Sequence, residues 1–260
     1  AWNPNAGGSV RALSVSATAV YIGGQFTTLG GAALSNLAQV NLTTGAPNTG
    51  FIPNPNNAVY ALALDEVGSL LYVGGAFTIL DGITRNRVAQ IDAGSGLSTL
   101  WNAGCNNTVF SIALSPSAVY VGGLFTQIGV SLRNRIAALS VATGTPTAWN
   151  PNADNGVSSV VLSGSTLLAG GDFLNISGVA RSRVAALDVA TGAATAWDPT
   201  AFGSVNVVVP ANGKVFVGGQ FNGVGGQPRV ERLEQAHVGE AGHALGAHVE
   251  EVGWPARREH

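Results

Sequence analysis

Five times in 260 residues the chain repeats an apolar pair, two glycines, one variable residue and a phenylalanine. The copies are "VYIGGQF" from Val20, "LYVGGAF" from Leu71, "VYVGGLF" from Val119, "LLAGGDF" from Leu167 and "VFVGGQF" from Val215. The glycine pairs begin at Gly23, Gly74, Gly122, Gly170 and Gly218, so the first spacing is 51 residues and the next three are 48. A bulky aromatic keeps the same beat at Trp2, Phe51, Trp101, Trp149 and Trp197. A period in the high forties marks one supersecondary unit stacked on copies of itself, in the range of propeller blades.

Four strand-like segments recur in each period. The first is valine-rich ("VRALSVS", "VYALALD", "VFSIALS", "VSSVVLS", "VNVVVPA") and the second is the glycine motif. The third reads "NLAQVNL", "RVAQIDA", "RIAALSV" and "RVAALDV", and the fourth is short and ends in the aromatic. Between third and fourth stand "TTG", "GSG" and "ATG", which supply the positive φ a tight hairpin needs. Charged residues are 10% of the chain, against about 25% in ordinary soluble domains, and 36 residues are glycine. That balance suits short strands joined by many turns. The expectation is an all-β fold, a β-propeller of about 48-residue four-stranded blades, since a sandwich needs no strand type to recur on schedule. Five copies of the first two strands and four of the last two predict a five-bladed ring with an imperfect last blade. An open fragment of a larger propeller is the alternative. Glycine inside a strand marks a bulge or a close backbone approach, which assigns the glycine pair to architecture.

"VYVGGLFTQIGVSLRNRIAALSVATGTPTAWNPNADNGVSSVVLS" resembles the repeat of bacterial secreted β-propellers of the delta-sixty-repeat type, itself similar to repeats in fungal cortical polarity-marker proteins. The likeness covers residues 1 to about 229 and rests on GGxF, RxRxAALD and AWNPN. That family is largely of unknown function. The resemblance implies an extracellular or cell-envelope binding or interaction scaffold, non-enzymatic, and transfers no catalytic residue.

Past Arg229 the repeat stops. Residues 230 to 260 hold all four histidines and six of the seven glutamates, and Arg232, Leu233, Glu234 and Gln235 stand where an apolar third strand is due. This 31-residue tail reads as a non-repeat segment, frameshifted, fused or appended, and as a marginal helix or disordered chain diluted by Gly239, Gly242 and Gly246. Residues 1 to 229 read as the propeller, its last blade completed in part by the N-terminal "AWNPN" and by the tail.

A net charge of −2 gives no field for nucleic acid, and no apolar run reaches the length of a membrane-spanning helix. The lone Cys105 has no internal disulfide partner and reads as a small packed residue. No histidine precedes His237, so the body cannot assemble a Ser/His/Asp triad. Its acids are Asp65, Glu66, Asp81, Asp92, Asp154, Asp172, Asp188 and Asp198, none repeated in a catalytic context. No catalytic residue, metal or cofactor is assigned.

Binding candidates gather in the loops from second to third and from fourth to first strand, which share one rich asparagine face. Arg85, Arg133 and Arg181, each followed two residues on by another arginine, are suited to anions, or else to loop carbonyls and the third-strand carboxylates Asp92 and Asp188. Trp101, Trp149 and Trp197 beside Asn-Pro are suited to stacking on sugar rings in a lectin-like propeller, or else to packing between blades. Asn152 and Asp154 offer hard oxygens, and Asp172, at the variable GGxF position, offers a channel-mouth carboxylate for a hydrolase. A protein or glycan at this face, and self-association if the ring is open, are the partners expected.

Overall fold

The computed structural model of the chain describes residues 2–225, 227–228 and 248–253. Among these residues it is all-β, with antiparallel strand pairs and no helix. Five successive sheets follow the repeat. The first holds β1 (Ala6–Val15), β2 (Ala19–Leu29) and β3 (Leu37–Asn41), and the second β4 (Val59–Asp65), β5 (Leu70–Gly75) and β6 (Val88–Asp92). The third holds β7 (Val109–Leu114), β8 (Ala118–Gly123) and β9 (Ile136–Ser140), and the fourth β10 (Val157–Ser163), β11 (Thr166–Gly171) and β12 (Val184–Asp188). The fifth is four-stranded, with β13 (Ala201–Ala211), β14 (Lys214–Val224) and β15 (His248–Gly253), and the two-residue strand Gln227–Pro228 pairing with the end of β14. In each of these five sheets the glycine-pair strand is central, and three two-residue hairpins, such as Gln127–Ile128 with Ser131–Leu132, stand apart from them.

Each first strand carries a bulge opposite the glycines. Register slips between Val10 and Ala12, Val59 and Ala61, Val109 and Ser111, Val157 and Ser159, and Val205 and Val207, leaving one residue unpaired each time. The bulge drives a carbonyl into the second glycine. A Cβ on Gly24, Gly75, Gly123, Gly171 or Gly219 would stand 2.1–2.2 Å from the carbonyl oxygen of Ser9, Ala58, Thr108, Gly156 or Ser204. The first glycine faces the next sheet instead. A Cβ on Gly23, Gly74, Gly122 or Gly170 would stand 2.6–2.9 Å from a methyl of Val59, Val109, Val157 or Val208. The two glycines therefore answer two separate approaches, one inside a sheet and one between sheets.

The sheets pack in series, β1 on β4, β4 on β7, β7 on β10 and β10 on β13. Their cores straddle the junctions: Phe51 of the first repeat packs with Leu71 and Phe77 of the second, and Tyr72 and Trp101 of the second with Val121 and Phe125 of the third. No comparable packing joins β13 to β1 among the described residues. Val10 and Leu13 of β1 are consequently 44% and 60% exposed, whereas Val59, Val109, Val157 and Val205, which occupy the place of Val10, are fully buried. At the other end Val207 and Val209 of β13 are exposed too.

One expectation is corrected here. The fourth segment is not a full strand; it meets the third strand through single bridges, Val40 to Pro47, Ile91 to Ser98, Leu139 to Pro146 and Leu187 to Ala194. Proline at 47 and 146 has no N–H to extend the ladder. Of the tail, residues 248–253 form β15, which pairs along β14 with Gly218 opposite Val249, the place where the tail is expected to complete the last blade, and the rest of the segment read as helix or disorder lies outside the described residues. In the other sheets the first glycine stands opposite the first residue of the third strand, as Gly122 does opposite Ile136, whereas β15 begins one residue further along, with His248 opposite Gly219. An unpaired strand edge offers a row of N–H and C=O groups, and "HVEEVG" takes it. The proposed break near residue 230 lies outside the described residues.

Cys105 sits in the junction core, fully buried, and burial pushes its thiol well up despite the opposing charge of Arg87. Ellman's reagent is expected to find no reactive thiol in the native protein and one per chain in urea. Fast native labelling would contradict this placement.

Candidate functional site

The arginines at the asparagine-rich face bind the main chain. Nη2 of Arg85, Arg133 and Arg181 donates to the carbonyls of Thr99, Thr147 and Thr195 at 2.5–2.6 Å, and Nη1 donates to the carbonyl of the preceding residue. Each clamps the start of the third strand to the fourth segment. Arg87, Arg135 and Arg183 have φ of 65–68° and precede the strand, so spacing by two does not place a pair on one strand side. Their N–H groups donate to the carbonyls of Phe77, Phe125 and Phe173. Asp92 and Asp188 do not meet the arginines; each caps its own turn, accepting from Ser95 or Thr191 through hydroxyl and backbone N–H. The one ion pair among the described residues is Arg181 with Asp198, at 3.6 Å.

Those capping bonds, the side-chain hydroxyl's first, hold Asp92 and Asp188 below the ordinary carboxylate pKa of 3.8. The folded form binds the proton less readily than the unfolded chain, so the contribution is complete above that value and is lost as pH falls through the folded pKa. Asn41 caps the first sheet's turn without a charge. Asp92→Asn with Asp188→Asn is therefore expected to shrink the fall in urea midpoint between pH 6 and pH 2.5. An undiminished fall would place the acid sensitivity elsewhere.

The tryptophans lie between sheets. Trp101 and Trp149 are 3% and 6% exposed, packed edge-on against Tyr72 and Tyr120 with ring centroids 5.4 and 5.2 Å apart. Their indole N–H groups reach across to the carbonyls of Ser140 and Asp188 in the following sheet. A ring buried this far has no face for a sugar. Trp197 is half-buried against the core of the last junction.

Asn152 has a left-handed backbone, φ 54°, and its side-chain oxygen accepts from Asn134. Asp154 accepts from Leu174 N–H and from the Asn175 amide, the staple that Asn56 and Asn106 make in earlier repeats. Partial burial pushes its carboxyl up, and these bonds together outweigh that and hold it below the usual range. The described residues contain no group of three or more His, Cys, Asp or Glu placed to hold a metal. Asp172 is exposed at the asparagine-rich face.

At the opposite end of the sheets, where first-to-second turns emerge, three repeats border an open cleft of about 820 Å³. Ser14 and Val15 come from the end of β1, Leu64 to Val67 from the end of β4 and its turn, and Leu114 to Pro116 from the end of β7. Tyr72 and Val141 complete it. Apolar walls with a few convergent polar groups, at this size, are the usual make-up of a ligand site. Asp65 accepts one bond, from Gly68 N–H, and Val67 is fully exposed. The Tyr72 hydroxyl accepts from Gln90 at 2.8 Å. Burial raises its pKa, Gln90 opposes that, and the charge of Asp65 adds to it. The sequence reading missed this end because it followed what repeats. The second repeat's turn is two residues longer than its counterparts: Ala61 pairs with Gly74, thirteen residues on, where Ser111 and Gly122 are eleven apart.

No protein-family model matches the chain, and no curated protein matches it. Among solved structures it is similar to the computationally designed Ika8 protein, with a TM-score of 0.50 and 14% identity over 87% of this chain and 74% of that one. The computationally designed Ika4 protein gives a TM-score of 0.47 and 16% identity over 72% and 95%. At such identity the Ika8 likeness concerns the fold alone.

Proposed function

We propose that the chain is a non-enzymatic binding scaffold of the β-propeller type, with five consecutive blades, working outside the cell or in its envelope. The observation that carries this is the fate of the repeated polar residues. Arginines, capping aspartates and loop asparagines make the same main-chain bonds from repeat to repeat, so they build a frame. The cleft is where the frame departs from its own period, and it supplies the binding end. The resemblance to secreted delta-sixty-repeat propellers supports the location.

Equilibrium dialysis against a defined mixture of small metabolites, read by mass spectrometry, tests the proposal. Compounds are expected to be retained with unchanged mass, and retention is expected to vanish in Val67→Trp, which fills the cleft from a fully exposed position. Conversion of a compound to product, or retention indifferent to Val67→Trp, would overturn it.

A further inference from the structure

We infer that the cleft recognises a small organic cation carrying an apolar body and an oxygen acceptor, of the amino-alcohol class. This rests on the reading of the cleft as a binding site and adds the chemistry of what enters it.

Two independent observations point to such a ligand. The longer turn of the second repeat places adjacent carboxylates, Asp65 and Glu66, at the cleft, and neither has a cationic partner among the described residues. Glu66 is exposed, whereas Asp65 is half-buried beside apolar walls, where a carboxylate holds an ammonium group more strongly because the competing solvent is partly excluded. The second observation is a hydroxyl. Tyr21 and Tyr120 donate theirs to the carbonyls of Ala93 and Val189 in the following sheet. Tyr72, their counterpart in the second repeat, is 3% exposed, accepts from Gln90, and has no acceptor for its own hydrogen among the described residues. The residue lines the same cleft as Asp65 and Glu66. A buried donor without an acceptor is costly, and a ligand oxygen there would satisfy it. Leu64, Val67 and Pro116 supply the surface for an apolar body.

The test uses the full chain and two commercial probes, 2-amino-1-phenylethanol and its amine-free analogue 1-phenylethanol, titrated by calorimetry or NMR. The amine is expected to bind at least tenfold more tightly than the analogue. Asp65→Asn with Glu66→Gln keeps the turn's acceptor for Gly68 and is expected to bring the amine down to the analogue's affinity. Tyr72→Phe, with an unchanged spectrum, is expected to weaken both several-fold. Equal binding of the two probes, blocked by Val67→Trp, would overturn the cation inference and leave the cleft a binding site. An amine affinity untouched by the double carboxamide variant, or no binding of either probe, would overturn it as well.

Discussion

Gly123→Ala is expected to lower the free energy of unfolding by about 3 kcal/mol or more, the upper range for forced overpacking. The added Cβ would stand 2.1 Å from the Thr108 carbonyl oxygen and 3.0 Å from Val109 Cα, both main-chain atoms held by the bulge. No side-chain rotation relieves that contact, so the bulge itself must move. Gly94→Ala is the control, since its Cβ would meet only the Asp92 carboxylate at 3.5 Å. Urea unfolding of the two variants should differ by the full amount. Equal midpoints would mean that the second glycine of the motif is not held against the bulged strand.

Phe125→Ala is expected to cost about 3–5 kcal/mol, the range for removing a buried aromatic ring. Phe125 is fully buried in the core shared by the second and third repeats, among Trp101, Val109, Val121 and Ile128. Its neighbour Leu124, at the variable position, is 38% exposed. Leu124→Ala should stay within about 0.5 kcal/mol of the parent, as exposed positions do. The contrast between adjacent residues makes the comparison specific to the motif. A loss shared equally by the two would contradict the inward placement of the phenylalanine.

The motif was legible because glycine's two structural uses, a bulge and a close backbone approach, were both stated from sequence, and the structure assigns one to each glycine. The all-β class follows from valine-rich segments broken by turn residues. The fourth segment was over-read. Its spacing suited a strand, but Pro47 and Pro146 and the need to carry the aromatic across to the next sheet leave only single bridges. The missing third strand of the last repeat is what pointed to the tail as its completion, and residues 248–253 pair along the edge that β14 presents there.

The candidate side chains show a different limit. Arg133 and Trp149 were correctly seen as repeating, but repetition by itself does not distinguish a frame from a row of sites; the carbonyls of Thr147 and Asp188 that they bond are main-chain atoms invisible in side-chain patterns. Asp65 and Glu66 were passed over because they do not repeat. The 51-residue first period was the available signal, since two of its extra residues lie in the turn that bears them.

A double-mutant cycle on Gly122 and Val157 tests the sheet-to-sheet junction directly. A Cβ on Gly122 would stand 2.9 Å from Val157 Cγ1, a side-chain atom of the next repeat that Val157→Ala removes. Urea unfolding of Gly122→Ala, Val157→Ala and the double variant should show a favourable coupling of about 1 kcal/mol or more, as expected for residues in contact. Strict additivity of the two losses would contradict the claim that the first glycine of the first four pairs admits the neighbouring repeat.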